Sequence, residues 1–126
     1  MKALLIFTAI FFSVTSFASI ELFQVDIRSK VGSDKASKSR IILKENEQET
    51  YTDKSNNIID VTASNYEVGD DLNIQMDFKV SRELEDGSIE VLAEPKIVTA
   101  QGKKAEITIE TESEESINLI VKARRI

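Results

Sequence analysis

The fold is decided by one strictly alternating stretch, Leu72-Asn73-Ile74-Gln75-Met76-Asp77-Phe78-Lys79-Val80. Every second side chain in it is apolar, and the side chains between them are polar. Successive side chains of a β-strand point to opposite faces of the sheet. The stretch therefore predicts a strand with one dry face and one wet face, and Phe78 is expected in the core.

The segments that follow predict further strands of the same kind. A polar turn at Glu85–Ser88 leads into a strand that starts at Ile89–Leu92 and is interrupted or bent by Pro95. A second turn at Gln101–Lys103 precedes another alternating run, Ala105–Ile109. We expect these strands to pair in chain order as an antiparallel meander with one apolar face.

The remaining chain shows the same period of two, and no stretch has a sustained helical period. Roughly seven to nine short strands are expected in all, which predicts an all-β fold, a small antiparallel β-sandwich. Val31–Ser39 has the composition of a surface loop. Ile120 is apolar on the polar side of the last strand, so part of that face is expected to be covered. The other strands are predicted at Ile20–Arg28, Arg40–Lys44, Glu49–Thr52, Ile59–Ala63 and Ser116–Arg124.

The two halves of the chain resemble each other at an offset of 56 residues, or 55 in the upstream part. A repeat would predict two similar sheets packed face to face. Any two antiparallel meanders share alternation and turn chemistry, so the likeness alone does not establish a duplication. The matched positions are Arg40–Ile42 with Lys96–Val98, Asn46 with Gly102, Val61 and Ala63 with Ile117 and Leu119, and Phe23 and Val25 with Phe78 and Val80.

The first 18 residues have the features of a secretory signal peptide. Lys2 is followed by the apolar run Ala3–Phe12 and by small residues in Ser16-Phe17-Ala18. We predict cleavage after Ala18, which leaves residues 19–126 as one domain in the periplasm or outside the cell. The alternative is an uncleaved anchor, but the apolar run is shorter than the about 20 residues that span a bilayer.

The composition limits the chemistry that the chain can perform. It contains no histidine and no cysteine, and 22 acidic residues against 16 basic ones give a net charge of −6. The commonest general base, the usual transition-metal ligands and thiol chemistry are therefore absent. An acidic chain is repelled by nucleic acid and by anionic lipid at long range. We expect no catalytic residues, no cofactor, no metal site and no nucleic-acid partner.

Acidic turns are the candidates for a cation site. Calcium prefers six to eight oxygen ligands, and these turns could supply some of them. No complete calcium-loop spacing is present, and solvated turns explain the acids more simply. The acids concerned are Asp70, Asp71, Glu112, Glu114 and Glu115.

Serines and lysines near predicted turns are the candidates for nucleophilic chemistry, but loop composition explains them better. Pro95 and the two lysines at 103 and 104 indicate protection of a sheet edge. The alternative is an edge that accepts a strand from a partner. The serine and lysine candidates are Ser37, Lys38, Ser39 and Ser81.

The segment Val91–Ile107 resembles a hairpin of bacterial secretins, the outer-membrane pores of secretion and pilus systems. The shared pattern is a leucine, a proline, an apolar-x-Thr strand, a polar turn and Ala-x-Ile, here Ala105–Ile107. Similar hairpins occur in small uncharacterised exported proteins of Gram-negative bacteria. The resemblance implies a periplasmic, Gram-negative setting. Residues 112–126 are too few for a barrel-forming region, so we expect no pore and carry over no functional residue.

These observations give two hypotheses of function. The first is a non-catalytic exported binding or assembly module of the bacterial envelope with a protein partner in the periplasm. The alternative is a small extracytoplasmic hydrolase or enzyme inhibitor. An exposed apolar patch or a long bare sheet edge would favour the first, and a convergent polar pocket would favour the second.

Overall fold

The computed structural model describes residues 21–112 and 115–126, so the predicted signal peptide lies outside the described residues. All strand pairings in the described part are antiparallel, which confirms the all-β prediction. None of these residues forms a helix long and apolar enough to cross a membrane. The strands are β1 (Leu22–Val31), β2 (Ser37–Lys44), β3 (Glu49–Thr52), β4 (Asn57–Val68), β5 (Asp71–Glu83), β6 (Ile89–Ala93), β7 (Lys96–Ala100), β8 (Lys104–Glu110) and β9 (Ser116–Arg125).

The strands form two sheets that pack together as a β-sandwich. Sheet A has the order β2-β1-β9-β8, and sheet B has the order β3-β4-β5-β6, with β7 also paired to β5. β6 and β7 are two pieces of one edge strand, separated at Pro95 as predicted. The Phe78 N–H donates to the Pro95 carbonyl at 2.9 Å, so β5 keeps a bond across the break. Proline has no N–H of its own to offer a sheet, which suits this edge position.

The core lies between the sheets and is built from alternate positions of the long strands. Within the alternating stretch Leu72–Val80, the side chains of Ile74, Met76, Phe78 and Val80 are buried. Leu72 is 54% exposed, because the alternation continues to the β4–β5 turn while the core ends before it. The other fully buried large side chains include Phe23, Val25, Val31, Leu43, Ile59, Val61, Ile117, Leu119 and Val121.

The predicted meander is wrong at its last strand. β8 pairs with β9 in sheet A and not with β7 in sheet B. The turn at Gln101–Lys103 is therefore a corner between the sheets, with Gly102 at φ +78 and its N–H donating to the Ala123 carbonyl at 2.8 Å. The segment that resembles a secretin hairpin is thus a corner in this fold. Alternation could not reveal the corner, because β8 would show the same pattern in either sheet.

The two halves of the chain have the same topology. When β1, β2, β3 and β4 are matched with β5, β7, β8 and β9, the order β2-β1-β9-β8 of sheet A becomes the order β7-β5-β4-β3 of sheet B. Each half gives its first two strands to one sheet and its last two to the other. The structure therefore has the two similar sheets, packed face to face, that a repeat would predict.

Corresponding hydrogen bonds fix how the halves match. The Asn46 N–H donates to Ala63 as the Gly102 N–H donates to Ala123, and both turn residues have positive φ. The predicted match of Asn46 with Gly102 is therefore confirmed. The central strands of the two sheets match differently from the prediction. Ala63 corresponds to Ala123 and not to Leu119, and Phe23 corresponds to Ile74 by the strand pairings.

Arg125, close to the end of the sequence, is held by the other half of the chain. Arg125 is half-buried, and its Nε donates to Asn65 Oδ1 at 2.6 Å. Its backbone N–H donates to Gln101 Oε1 at 3.0 Å, just as the Asn65 N–H donates to Glu45 Oε2 at 3.0 Å. Equivalent residues of the two halves thus meet where the corners of the sandwich come together.

Candidate functional site

The outward side chains of sheet A form a cationic surface, which we call the basic face. The basic face contains eight cations and three acids, Asp26, Glu106 and Glu110, so its net charge is +5. The whole chain has a net charge of −6. Positive charge is therefore concentrated on one side of the sandwich. The cations are Arg28, Lys30, Lys38, Arg40, Lys44, Lys104, Lys122 and Arg124.

The outward face of sheet B has no such excess of positive charge. Lys79 and Lys96 are balanced there by Asp60 and Asp77. Lys96 Nζ lies 3.9 Å from Asp77, and Thr50 donates a hydrogen bond to Asp60. The two halves thus share a topology but present different charge on their outer surfaces.

Strand register places the central cations of the basic face in two adjacent rows. Arg40, Asp26, Lys122 and Lys104 lie directly opposite one another on β2, β1, β9 and β8. Neighbouring strands are about 4.8 Å apart, so one row crosses the sheet within about 14 Å. The next row contains Lys38, Arg28, Ile120 and Glu106.

Two acids of the basic face already have partners in the sheet. Arg40 Nε donates to Asp26 Oδ1 at 2.7 Å, and this hydrogen bond and charge raise the pKa of the Arg40 guanidinium above its usual range. Glu106 accepts a hydrogen bond from Asn118 at 2.8 Å.

Four central cations remain without an acid. Within the described ranges 21–112 and 115–126, no carboxylate lies within 4.0 Å of Arg28, Lys38, Lys104 or Lys122. These four cations are therefore available to an external anion.

The rows border a shallow open groove of about 600 Å³. Ile120 is half-buried in its floor, and Ile42 is 55% exposed near one end of the face. Ile120 is the residue whose apolar character interrupted the polar side of the last strand in the sequence. The groove therefore combines several cations with a small apolar floor, which suits binding of an anionic surface that also carries apolar side chains.

The acidic turns do not come together. Asp70 and Asp71 are exposed beside the β4–β5 turn, and Glu112 is exposed after β8. Glu115 forms an ion pair with Arg82 at 2.9 Å, whereas Glu114 lies outside the described residues. Across the described chain, no group of three or more acidic, histidine or cysteine side chains is placed to hold a metal ion.

The serine and lysine candidates lie in strands beside turns, with Ser37, Lys38 and Ser39 in β2 and Ser81 in β5. The loop predicted to extend to Ser39 is therefore too long. Ser37 is buried at the start of β2, where its Oγ accepts a hydrogen bond from the Lys54 N–H at 3.0 Å. The predicted loop therefore ends before Ser37, because a buried serine can continue the dry side of a strand. Lys38 points to the opposite face from Ser37 and Ser39, and Ser81 is buried in sheet B.

Two of the three predicted edge residues lie at sheet edges. Pro95 separates the pieces of one edge strand of sheet B, and Lys104 begins β8, one of the two edge strands of sheet A. Lys103 belongs to the corner turn that precedes β8. Because Lys104 also ends a cationic row, it belongs to the basic face as well as to the edge.

Comparisons with protein-family models, with curated proteins and with solved structures found no match for this chain. The resemblance of Val91–Ile107 to secretins stays a prediction. The basic face was missed at the sequence level because the net charge was treated as evenly distributed. The signal was present, since cations occupy alternate positions in Arg28 and Lys30, in Lys38 and Arg40, and in Lys122 and Arg124.

Proposed function

We propose that the protein is a non-catalytic, exported binding or assembly module whose basic face holds an acidic surface of a partner protein. The observation that carries the proposal is the set of cations Arg28, Lys38, Lys104 and Lys122, which lack an acidic partner in the described chain. Exposed uncompensated charge costs little in water but attracts and orients an oppositely charged partner. Export rests on the predicted signal peptide.

A protein partner is favoured over nucleic acid by the composition of the face. Its outward positions contain no aromatic side chain on which a base could stack. A long polyanion would also meet the acidic remainder of the chain, and an extended anionic surface would be repelled by it. A partner with a local cluster of acids and apolar side chains fits the groove with less repulsion.

Catalysis is less well supported than binding. The groove contains one acid, Asp26, and that acid is held by Arg40 at 2.7 Å. The serine candidates point towards the interior, away from Lys38. The residues that line the groove therefore supply charge for recognition, and they do not combine an unengaged acid or hydroxyl with a neighbouring base.

The proposal can be tested with a labelled oligoglutamate peptide and fluorescence anisotropy. Wild type should bind the peptide, and Lys104→Glu/Lys122→Glu should not, because two cations of one row become acids. Raising salt from about 0.1 M to about 1 M should abolish binding, since the Debye length falls from about 10 Å to about 3 Å. The control Lys54→Glu/Lys79→Glu makes the same change of charge at exposed positions outside the basic face.

Equal loss of binding in both double variants would contradict the proposal, because it would show that only net charge matters. Duplex DNA and vesicles with anionic lipid serve as competitors. If either one binds the basic face more tightly than the peptide, the partner is not an acidic protein surface.

A further inference from the structure

The hairpin between β5 and β6 projects an acidic and partly apolar end from sheet B. We call residues 83–91 the acidic tip, and every one of them is exposed. No lysine or arginine occurs in this range. Its apolar side chains are also exposed, with Leu84 at 39%, Ile89 at 54% and Val91 at 46%. Its acids are Glu83, Glu85, Asp86 and Glu90.

The turn of the acidic tip is held in one conformation by its own hydrogen bonds. The Leu84 N–H donates to the Ser88 carbonyl at 2.8 Å, and the Gly87 N–H donates to the Leu84 carbonyl at 2.9 Å. Asp86 Oδ1 accepts from the Ser88 N–H at 2.9 Å, and the hydrogen bonds from Ser88 lower the pKa of Asp86. A turn that is already ordered loses little conformational freedom when it binds.

The acidic tip and the basic face are complementary in charge, apolar content and width. The groove offers cations around the half-buried side chain of Ile120, and the tip offers acids around three exposed apolar side chains. The tip is a two-stranded ribbon about 5 Å between strand axes, whereas the four strands of the face span about 14 Å. Building on the proposed function, we infer that the acidic tip of one copy docks in the groove of the basic face of a second copy.

The contact must join two molecules. The tip lies at the end of sheet B, and the groove opens on the outward side of sheet A, so the core separates them within one chain. Because the two contacting surfaces differ, a docked pair still has one free groove on the copy that gave its tip and one free tip on the other copy. Such a heterologous contact extends into a chain or closes into a ring instead of stopping at a symmetric dimer.

Sedimentation velocity on the whole protein tests the inference. At low ionic strength the mean mass of wild type should increase with concentration beyond that of a dimer, and about 1 M salt should restore the monomer. Glu83→Lys/Glu85→Lys/Glu90→Lys keeps Asp86 and its turn but reverses the charge of the tip. This variant should associate at least about a hundredfold more weakly, since like charges opposed in a contact cost several kcal/mol.

A matched control changes three exposed glutamates elsewhere, in Glu47→Lys/Glu49→Lys/Glu67→Lys, and it should still associate. The face variant Lys104→Glu/Lys122→Glu should be monomeric. Circular dichroism verifies that each variant keeps its β structure.

Mixing the two monomeric variants gives the sharpest result. The face variant has an intact tip and the tip variant has an intact groove, so the mixture should form a one-to-one dimer and nothing larger. Wild type that stays monomeric at low salt, or a mixture that stays monomeric, would overturn the inference. If wild type stays monomeric but still binds oligoglutamate through the basic face, only this inference fails and the proposed function stands.

Discussion

Replacement of Asp26 by asparagine should strengthen the binding of an acidic partner. Asp26 is the one acid of its row, and it lies between Arg40 on β2 and Lys122 on β9. It holds Arg40 Nε at 2.7 Å, so it both repels an incoming carboxylate and engages a cation that the carboxylate could use. Asparagine has nearly the same shape, so Asp26→Asn removes the charge with little change to the surface.

The size of the effect follows from the geometry of the row. A carboxylate bound between Lys122 and Lys104 lies about one and a half strand spacings from Asp26, roughly 8 Å when side-chain reach is included. Repulsion between two unit charges at that distance is about 0.5 kcal/mol in water and about 2 kcal/mol at an effective dielectric constant of about 20. Affinity for each such carboxylate should therefore rise by about 2-fold to about 30-fold.

Anisotropy titrations of labelled oligoglutamate with wild type and Asp26→Asn measure this difference directly. The increase should shrink as salt is added, because the repulsion that is removed is screened in the same way as the attraction. Asp77→Asn on the outward face of sheet B is the control and should not change affinity. Weaker binding by Asp26→Asn would refute the reasoning, since it would mean that Arg40 must be held by Asp26 in order to bind.

Three further predictions concern stability. Phe78 is 3% exposed, so Phe78→Ala should reduce the free energy of unfolding, measured by urea denaturation, by about 3–5 kcal/mol. The control Lys79→Ala changes an exposed side chain and should alter that free energy by no more than about 0.5 kcal/mol. Equal losses would show that the faces of β5 are misassigned. Gly32→Ala should destabilise more than Gly69→Ala in the same urea experiment. Both glycines have positive φ, but only at Gly32 would the new Cβ lie 2.7 Å from the Glu115 carboxylate and displace it from its ion pair with Arg82 at 2.9 Å. Equal losses would contradict this and leave left-handed strain of about 1–2 kcal/mol as the whole effect. Burial raises the pKa of Tyr51 from 10.0 to about 12, so the unfolded chain loses this proton at lower pH than the folded chain, and stability should fall as pH rises between these values. In thermal melts over that range, the melting temperature of Tyr51→Phe should fall less than that of wild type. An identical fall would contradict the burial of the Tyr51 hydroxyl.

The strands were predictable because burial on one face imposes a period of two that can be counted in the sequence. Ile74, Met76 and Phe78 are buried as that period requires. The corner at Gly102 was not predictable, since an alternating strand after a turn fits a hairpin and a corner equally well. Contacts between residues far apart in sequence decide between them: β8 pairs with β9, and the Gly102 N–H donates to the Ala123 carbonyl.

The candidate site could be predicted in part. The alternate cations of β1, β2 and β9 are visible in the sequence, and so is the apolar exception at Ile120. Their convergence depends on β9 lying between β1 and β8, which is a property of the sheet order and not of any single strand. The half-burial of Arg125 likewise depends on Asn65, which belongs to the other half of the chain.

The central claim, that the outward side of sheet A is the binding surface, is tested most directly by an NMR titration of the isotopically labelled protein with oligoglutamate. The shifted backbone amides should cluster on β1, β2, β8 and β9 around Arg28, Lys38 and Lys122, and the outward positions of β4 and β5 should stay unchanged. Shifts that are spread evenly over both sheets, or that centre on Lys79 and Lys96 of sheet B, would contradict the claim.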